Sequence, residues 1–119
     1  MRVLYASPKV EEQCNSIRAA GKLFGGDRIL TEKLITRVGF LKEYPTLSEV
    51  IDRPAFRFHK LKGSMSGLYA IDVKTRKEPW RIILEPLDGE GRPYGPCDIL
   101  QIRKDVRILR IREVSKHYE

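Results

Sequence analysis

The sequence predicts an α+β domain, with an N-terminal strand and two helices packed on one face of a mostly antiparallel β-sheet. Three observations predict it. Leu30, Leu34, Val38 and Leu41 recur at helical spacing in the first half of the chain. From Arg53 onward the period changes to two, with Phe56, Phe58 and Lys60 set against Arg57, His59 and Leu61. The late run VRILRIREV, residues 106–114, is rich in the branched residues that suit strands. The order is β-α-α-β-β-β-β, which favours helices segregated to one side of a sheet.

Residues 2–6 are short, apolar and β-prone, and make the first strand. Ser7-Pro8 opens a helix, with serine as its cap and proline at the first helical position. Val10, Cys14 and Ile17 form its apolar stripe, and Glu11 and Glu12 sit near its positive end. Gly25-Gly26 breaks the pattern, and Asp27 caps a second helix whose stripe Ile29 and Ile35 widen. Tyr44-Pro45 ends it. Thr46 and Glu49 have capping-box spacing and begin one more helical turn. The alternating strand at 56–62 runs into a turn at 63–67. Residues 68–73 and 80–84 are the next two strands, joined by a polar link at 74–79. Three glycines and three prolines between 86 and 97 mark 86–105 as a surface loop insertion. No repeat or long linker interrupts the chain, so residues 1–119 are expected as one domain.

The composition, 41% hydrophobic and 33% charged, is that of a soluble globular protein rather than a disordered or fibrous one. No apolar run approaches the roughly 18 residues that span a bilayer. The first residues turn acidic too soon for a signal peptide, so the expected address is cytoplasmic. Cys14 and Cys97 lack CxxC spacing and are expected as free thiols. With His59 and His117 the only histidines, neither a structural metal site nor a cofactor is expected.

Charge is the strongest functional signal. Residues 53–82 carry eight basic side chains (Arg53, Arg57, Lys60, Lys62, Lys74, Arg76, Lys77, Arg81) against Asp72 and Glu78, a net of +6. The whole chain is +7. A cationic sheet surface of this kind is the footprint of a polyanion, usually nucleic acid. A phosphodiester there would meet a fork donor from Arg81 and point charges from Lys62 and Lys74. His59 adds a ring that exchanges protons near neutrality. RNA cleavage by its own 2′-hydroxyl needs a base, cations around the pentacoordinate phosphorus and an acid for the leaving 5′-oxygen. Trp80, Tyr69, Phe56 and Phe58 fit alternating burial and are expected in the core.

The segment HKLKG-x3-GLYAIDV-x6-WRIILEP, with two amphipathic helices before it and an ILRI-type strand after it, resembles the HigB branch of the RelE/ParE toxin superfamily. It is similar to the plasmid maintenance killer variety, over residues 9–85 and 106–116. The resemblance implies a RelE-like fold and a type II toxin–antitoxin toxin that cleaves messenger RNA in the ribosomal A site as an endoribonuclease. It also implies a cognate helix-turn-helix antitoxin of HigA type. His59 and Lys62 match the family's HxxK positions, and Arg81 matches the arginine of WRI. Either Lys74 or Arg76 fills the remaining basic position. The RNA-binding set expected beside these is Arg57, Lys60, Lys77, Lys116 and Tyr118.

Two departures matter. The turn reads Lys62-Gly63-Ser64-Met65-Ser66-Gly67 where relatives commonly read KGDRKG. The last strand reads Glu113-Val114-Ser115 where relatives end in D-Y-H, with Lys116-His117-Tyr118 just beyond. Either His117 and Tyr118 serve after a register shift, or the chain is a catalytically degenerate relative that keeps antitoxin or nucleic-acid binding. The HxxK and WRI basic set disfavours a gyrase poison of the ParE branch.

Overall fold

The computed structural model describes residues 1–116. In chain order these form β1 (Arg2–Tyr5), α1 (Pro8–Asn15), α2 (Ile17–Leu23), α3 (Arg28–Glu43), α4 (Leu47–Ile51), β2 (His59–Lys60), β3 (Tyr69–Asp72), β4 (Trp80–Leu87), α5 (Ile99–Ile102) and β5 (Ile108–Lys116). The five strands make one mixed sheet in the order β1-β5-β4-β3-β2, with only the β1–β5 pair parallel. No helix of the described residues is long and apolar enough to cross a membrane.

The helix starts follow from short polar side chains that satisfy orphan backbone donors. Ser7 Oγ accepts from Val10 N at 3.2 Å, and Asp27 Oδ1 accepts from Leu30 N at 3.1 Å. Thr46 caps α4 and donates its hydroxyl to Glu49 at 2.7 Å. Ser16 divides what periodicity presents as one helix. Its extended backbone ends α1, and its hydroxyl caps α2 by accepting from Ala19 N at 3.1 Å. The change of axis turns Ile17 outward, where it is 74% exposed rather than part of the core. Ile29, expected to widen the α3 stripe, is 54% exposed.

Leu30, Leu34, Val38 and Leu41 all pack into the main core with Val10 and Cys14 of α1 and with Ile71, Ile82, Leu84, Leu109 and Ile111 of the sheet. The opposite sheet face holds a smaller cluster of Leu61, Ala70 and Ile83, under Met65 and Leu68. A register shift between Ile83 and Leu84 leaves Arg112 unmatched, so core positions on β5 run Leu109, Ile111, Val114.

The second half departs most from its pattern. The strand expected at 56–62 shrinks to the two residues of β2. Pro54 opens a tight turn over Pro54–Phe56, and Arg57 then adopts a left-handed φ of 48°. The alternation of faces therefore fails: Phe56 is buried among the helices. The expected insertion is partly ordered structure. Pro86 and Leu87 extend β4, Asp88 closes a turn by accepting from Glu90 N and Arg92 N, and Asp98 caps α5.

Leu34→Ala, at a site with no solvent exposure, should cost about 2–5 kcal/mol in denaturant unfolding. Burial pushes the Cys14 thiol from 9.0 up to about 12, with Lys42 opposing. The unfolded chain then releases this proton first, so the thiol's stabilising contribution is intact below pH 9.0 and lost as pH rises toward 12. Unfolding midpoints between pH 8 and 11 should therefore fall less steeply for Cys14→Ala than for the wild type.

Candidate nucleic-acid interface

Asp72 and Arg81 face each other directly across β3 and β4. Both are almost fully buried, and Arg81 Nε meets Asp72 Oδ1 at 3.1 Å. The rest of the Arg81 guanidinium serves the hairpin link. Nη1 donates to the carbonyls of Thr75 (3.4 Å), Trp80 (2.9 Å) and Glu78, and Nη2 to that of Arg76 (2.9 Å). Arg57, turned by its left-handed backbone, donates Nε to both carboxylate oxygens of Asp72 at 3.2 and 3.1 Å. From α3, the buried Arg37 donates to the carbonyls of Asp72 (2.8 Å), Ala55 (3.1 Å) and Lys74 (3.2 Å) and lies 4.7 Å over the Phe56 ring. Burial lowers the Arg37 pKa; Asp72 raises it and Arg53 lowers it further.

Arg81, expected as a fork donor to phosphate, is placed inside the fold rather than on its surface. A side chain 3% exposed and spread over a carboxylate and four carbonyls is a brace. Arg57, half-buried on the same carboxylate, braces it from the other side. Sequence reasoning missed Asp72 and Arg37. The signal for Arg37 was a cation on the apolar stripe, three residues beyond Leu34 and four before Leu41.

The remaining cations do not share one spot. Lys60 and Lys62 are exposed near the end of β3 that begins at Tyr69, while Lys74, Arg76 and Lys77 are exposed on the link beyond Asp72. Lys60 faces Tyr69 at one end of the four-residue β3, and Lys74 follows the other end, two residues past Asp72. His59 stands between the two groups, opposite Ala70. Its Nδ1 is 2.7 Å from the Arg57 carbonyl, and its Nε2 is shielded from solvent. Lys116, opposite Trp80 in the β4–β5 register, lies 5.6 Å over that ring. His117 and Tyr118 lie outside the described residues. Glu113 stands across from Ile83, Ser115 across from Arg81, and Val114 is buried in the core. Among the described residues no group of three or more His, Cys, Asp or Glu side chains is placed to hold a metal ion.

No protein-family model matches this chain, and a search of curated proteins finds no similar sequence.

Breaking one side of a buried ion pair costs about 3–5 kcal/mol, because the other charge is left in low dielectric. Arg81→Ala should lower the unfolding free energy by about that much. Arg81→Lys should recover little of it, since an ammonium cannot reproduce the planar fork. An unchanged denaturation midpoint for Arg81→Ala would show that the brace is not what holds the link.

Proposed function

We propose that this protein has a RelE-like fold and acts as a HigB-like toxin, a ribosome-dependent endoribonuclease that cuts messenger RNA. We place it in the cytoplasm, held in check by a helix-turn-helix antitoxin. The observation that carries the reading is the distribution of exposed cations, Lys60 and Lys62 near one end of β3 and Lys74, Arg76 and Lys77 beyond the other, with one imidazole between them. That spacing suits several successive phosphates of an extended strand rather than a pocket for one. The order of an N-terminal strand, helices and a largely antiparallel sheet supports the same reading.

In this scheme the Nδ1–H of His59 donates to the Arg57 carbonyl, which makes Nε2 the basic nitrogen of the neutral ring. Once uncovered, Nε2 takes the proton of a 2′-hydroxyl. The 2′-oxygen attacks the adjacent phosphorus, and the added charge meets Lys62 and Lys60. The bond to the 5′-oxygen breaks as an acid protonates it; His117, just beyond the place of the family's D-Y-H, is the candidate. Arg81 and Asp72 do not touch RNA; they hold the hairpin that presents Lys74, Arg76 and Lys77.

A second reading has its own observation. Arg57 and Arg81 are committed to Asp72, and Nε2 is shielded. A degenerate relative that binds RNA or antitoxin without cutting would keep this arrangement. On ribosomes programmed with a defined message, His59→Gln should slow cutting by about 10²–10⁴-fold. Neutralising Lys74, Arg76 and Lys77 together should reduce the salt slope of RNA binding by about 2, at ~0.7 per phosphate contact on a single strand. Message left whole by wild-type protein that still binds RNA selects the second reading. No binding to RNA even at low salt sinks the first reading and confines the second to antitoxin binding.

A further inference from the structure

A groove of about 580 Å³ runs between β2 and α5. Its volume is within the range of clefts that hold small organic groups. Ile51, Ile99 and Leu100 give it apolar walls, Phe58 an aromatic wall, and Lys60 a cation. Phe58, expected in the core, packs half-buried against it and also lines this groove. Its ring is stacked on Tyr69 with centroids 5.0 Å apart and planes 12° from parallel.

The walls are held independently of any occupant. Arg103 ties the end of α5 to α4 and the residue after it, donating Nε to Ser48 Oγ at 3.0 Å and Nη2 to the Ser48 carbonyl at 3.1 Å and to Asp52. The backbones of Gly67 and Gly95 approach so closely that a Cβ on Gly67 would stand 3.1 Å from the Gly95 carbonyl carbon. Tyr69 lines the groove beside Cys97 of the same loop. Burial and the neighbouring Cys97 side chain push its hydroxyl up to about 12. The acid that lines the groove, Asp98, accepts from Leu100 N at 3.1 Å as the α5 cap. A rigid aromatic and aliphatic slot beside a lysine has the two components that single-strand binders use, a stacking surface and a phosphate contact.

We propose that this groove receives one unstacked base of single-stranded RNA, packed against Phe58 and Leu100, with Lys60 on the adjoining phosphate. The inference rests on the RNA reading above and adds the place where a base leaves the strand. His59 also lines the groove, so a seated base would set the position of the neighbouring phosphate relative to the imidazole.

The test is fluorescence anisotropy with two probes of equal length and charge, a labelled single-stranded RNA and its abasic ribose-phosphate counterpart. Wild-type protein should bind the base-containing probe about tenfold more tightly. Phe58→Leu should abolish that preference while leaving abasic binding unchanged. Leu100→Ser, at a side chain 61% exposed and so harmless to folding, should reduce it in the same way. Alkylation of Cys97, which is exposed in the groove while Cys14 is buried, should also remove the preference. Equal wild-type affinity for both probes overturns the base site and leaves the polyanion reading standing. A preference that survives both substitutions and the alkylation places the base elsewhere and overturns it too. Failure to bind either probe overturns the RNA reading itself, and this inference with it.

Discussion

One carboxylate organises the junction between the helices and the sheet of this molecule. Asp72 sits at the end of β3, nearly without solvent, and takes Arg81 from β4 and Arg57 from the approach to β2. Arg37 from α3 reaches the Asp72 main-chain carbonyl. An isolated buried carboxylate would be too costly to ionise, and an isolated buried guanidinium equally so. Each is tolerated because the others are there. The cluster ties helix layer to sheet, closes the hairpin link through four carbonyls and sets where β2 begins.

This clustering sorts the basic residues into two populations. Arg37, Arg57 and Arg81 have partners within the fold and contribute to shape. Lys60, Lys62, Lys74, Arg76 and Lys77 are exposed and contribute to the surface field. The partition follows side-chain chemistry. A planar guanidinium with five donors can satisfy several buried carbonyls at once, whereas a lysine ammonium is strongly hydrated and favours water. The exposed cations of this segment are therefore mostly lysine, set along the β2 edge and on the β3–β4 link. The sheet has a second, smaller sorting of the same kind, where Glu85 accepts from Arg110 at 3.0 Å and Arg112 at 3.4 Å.

The segment after β4 changes the character of that edge. A Gly- and Pro-rich stretch would ordinarily be a solvated loop. Here it folds back, is pinned by Arg103 to Ser48, and places α5 beside β2. The result is an aromatic and aliphatic groove next to the lysine of β2.

How much of this could be read in the chain differs by element. The α3 stripe, the caps at Ser7, Asp27 and Thr46, and the strands β3 and β5 were legible, because periodicity and capping are local properties. The break at Ser16, the outward turn of Ile17 and the collapse of the 56–62 strand were not, since each depends on a single backbone conformation that competes with an equally good pattern. The cationic character of residues 53–82 and the presence of a histidine within it were fixed by composition. Which of those cations meets solvent and which meets Asp72 was decided only by tertiary structure. Strand register places Arg81 across from Asp72, and a fold buries a charge only where an opposite charge and spare carbonyls converge from parts of the chain far apart in sequence.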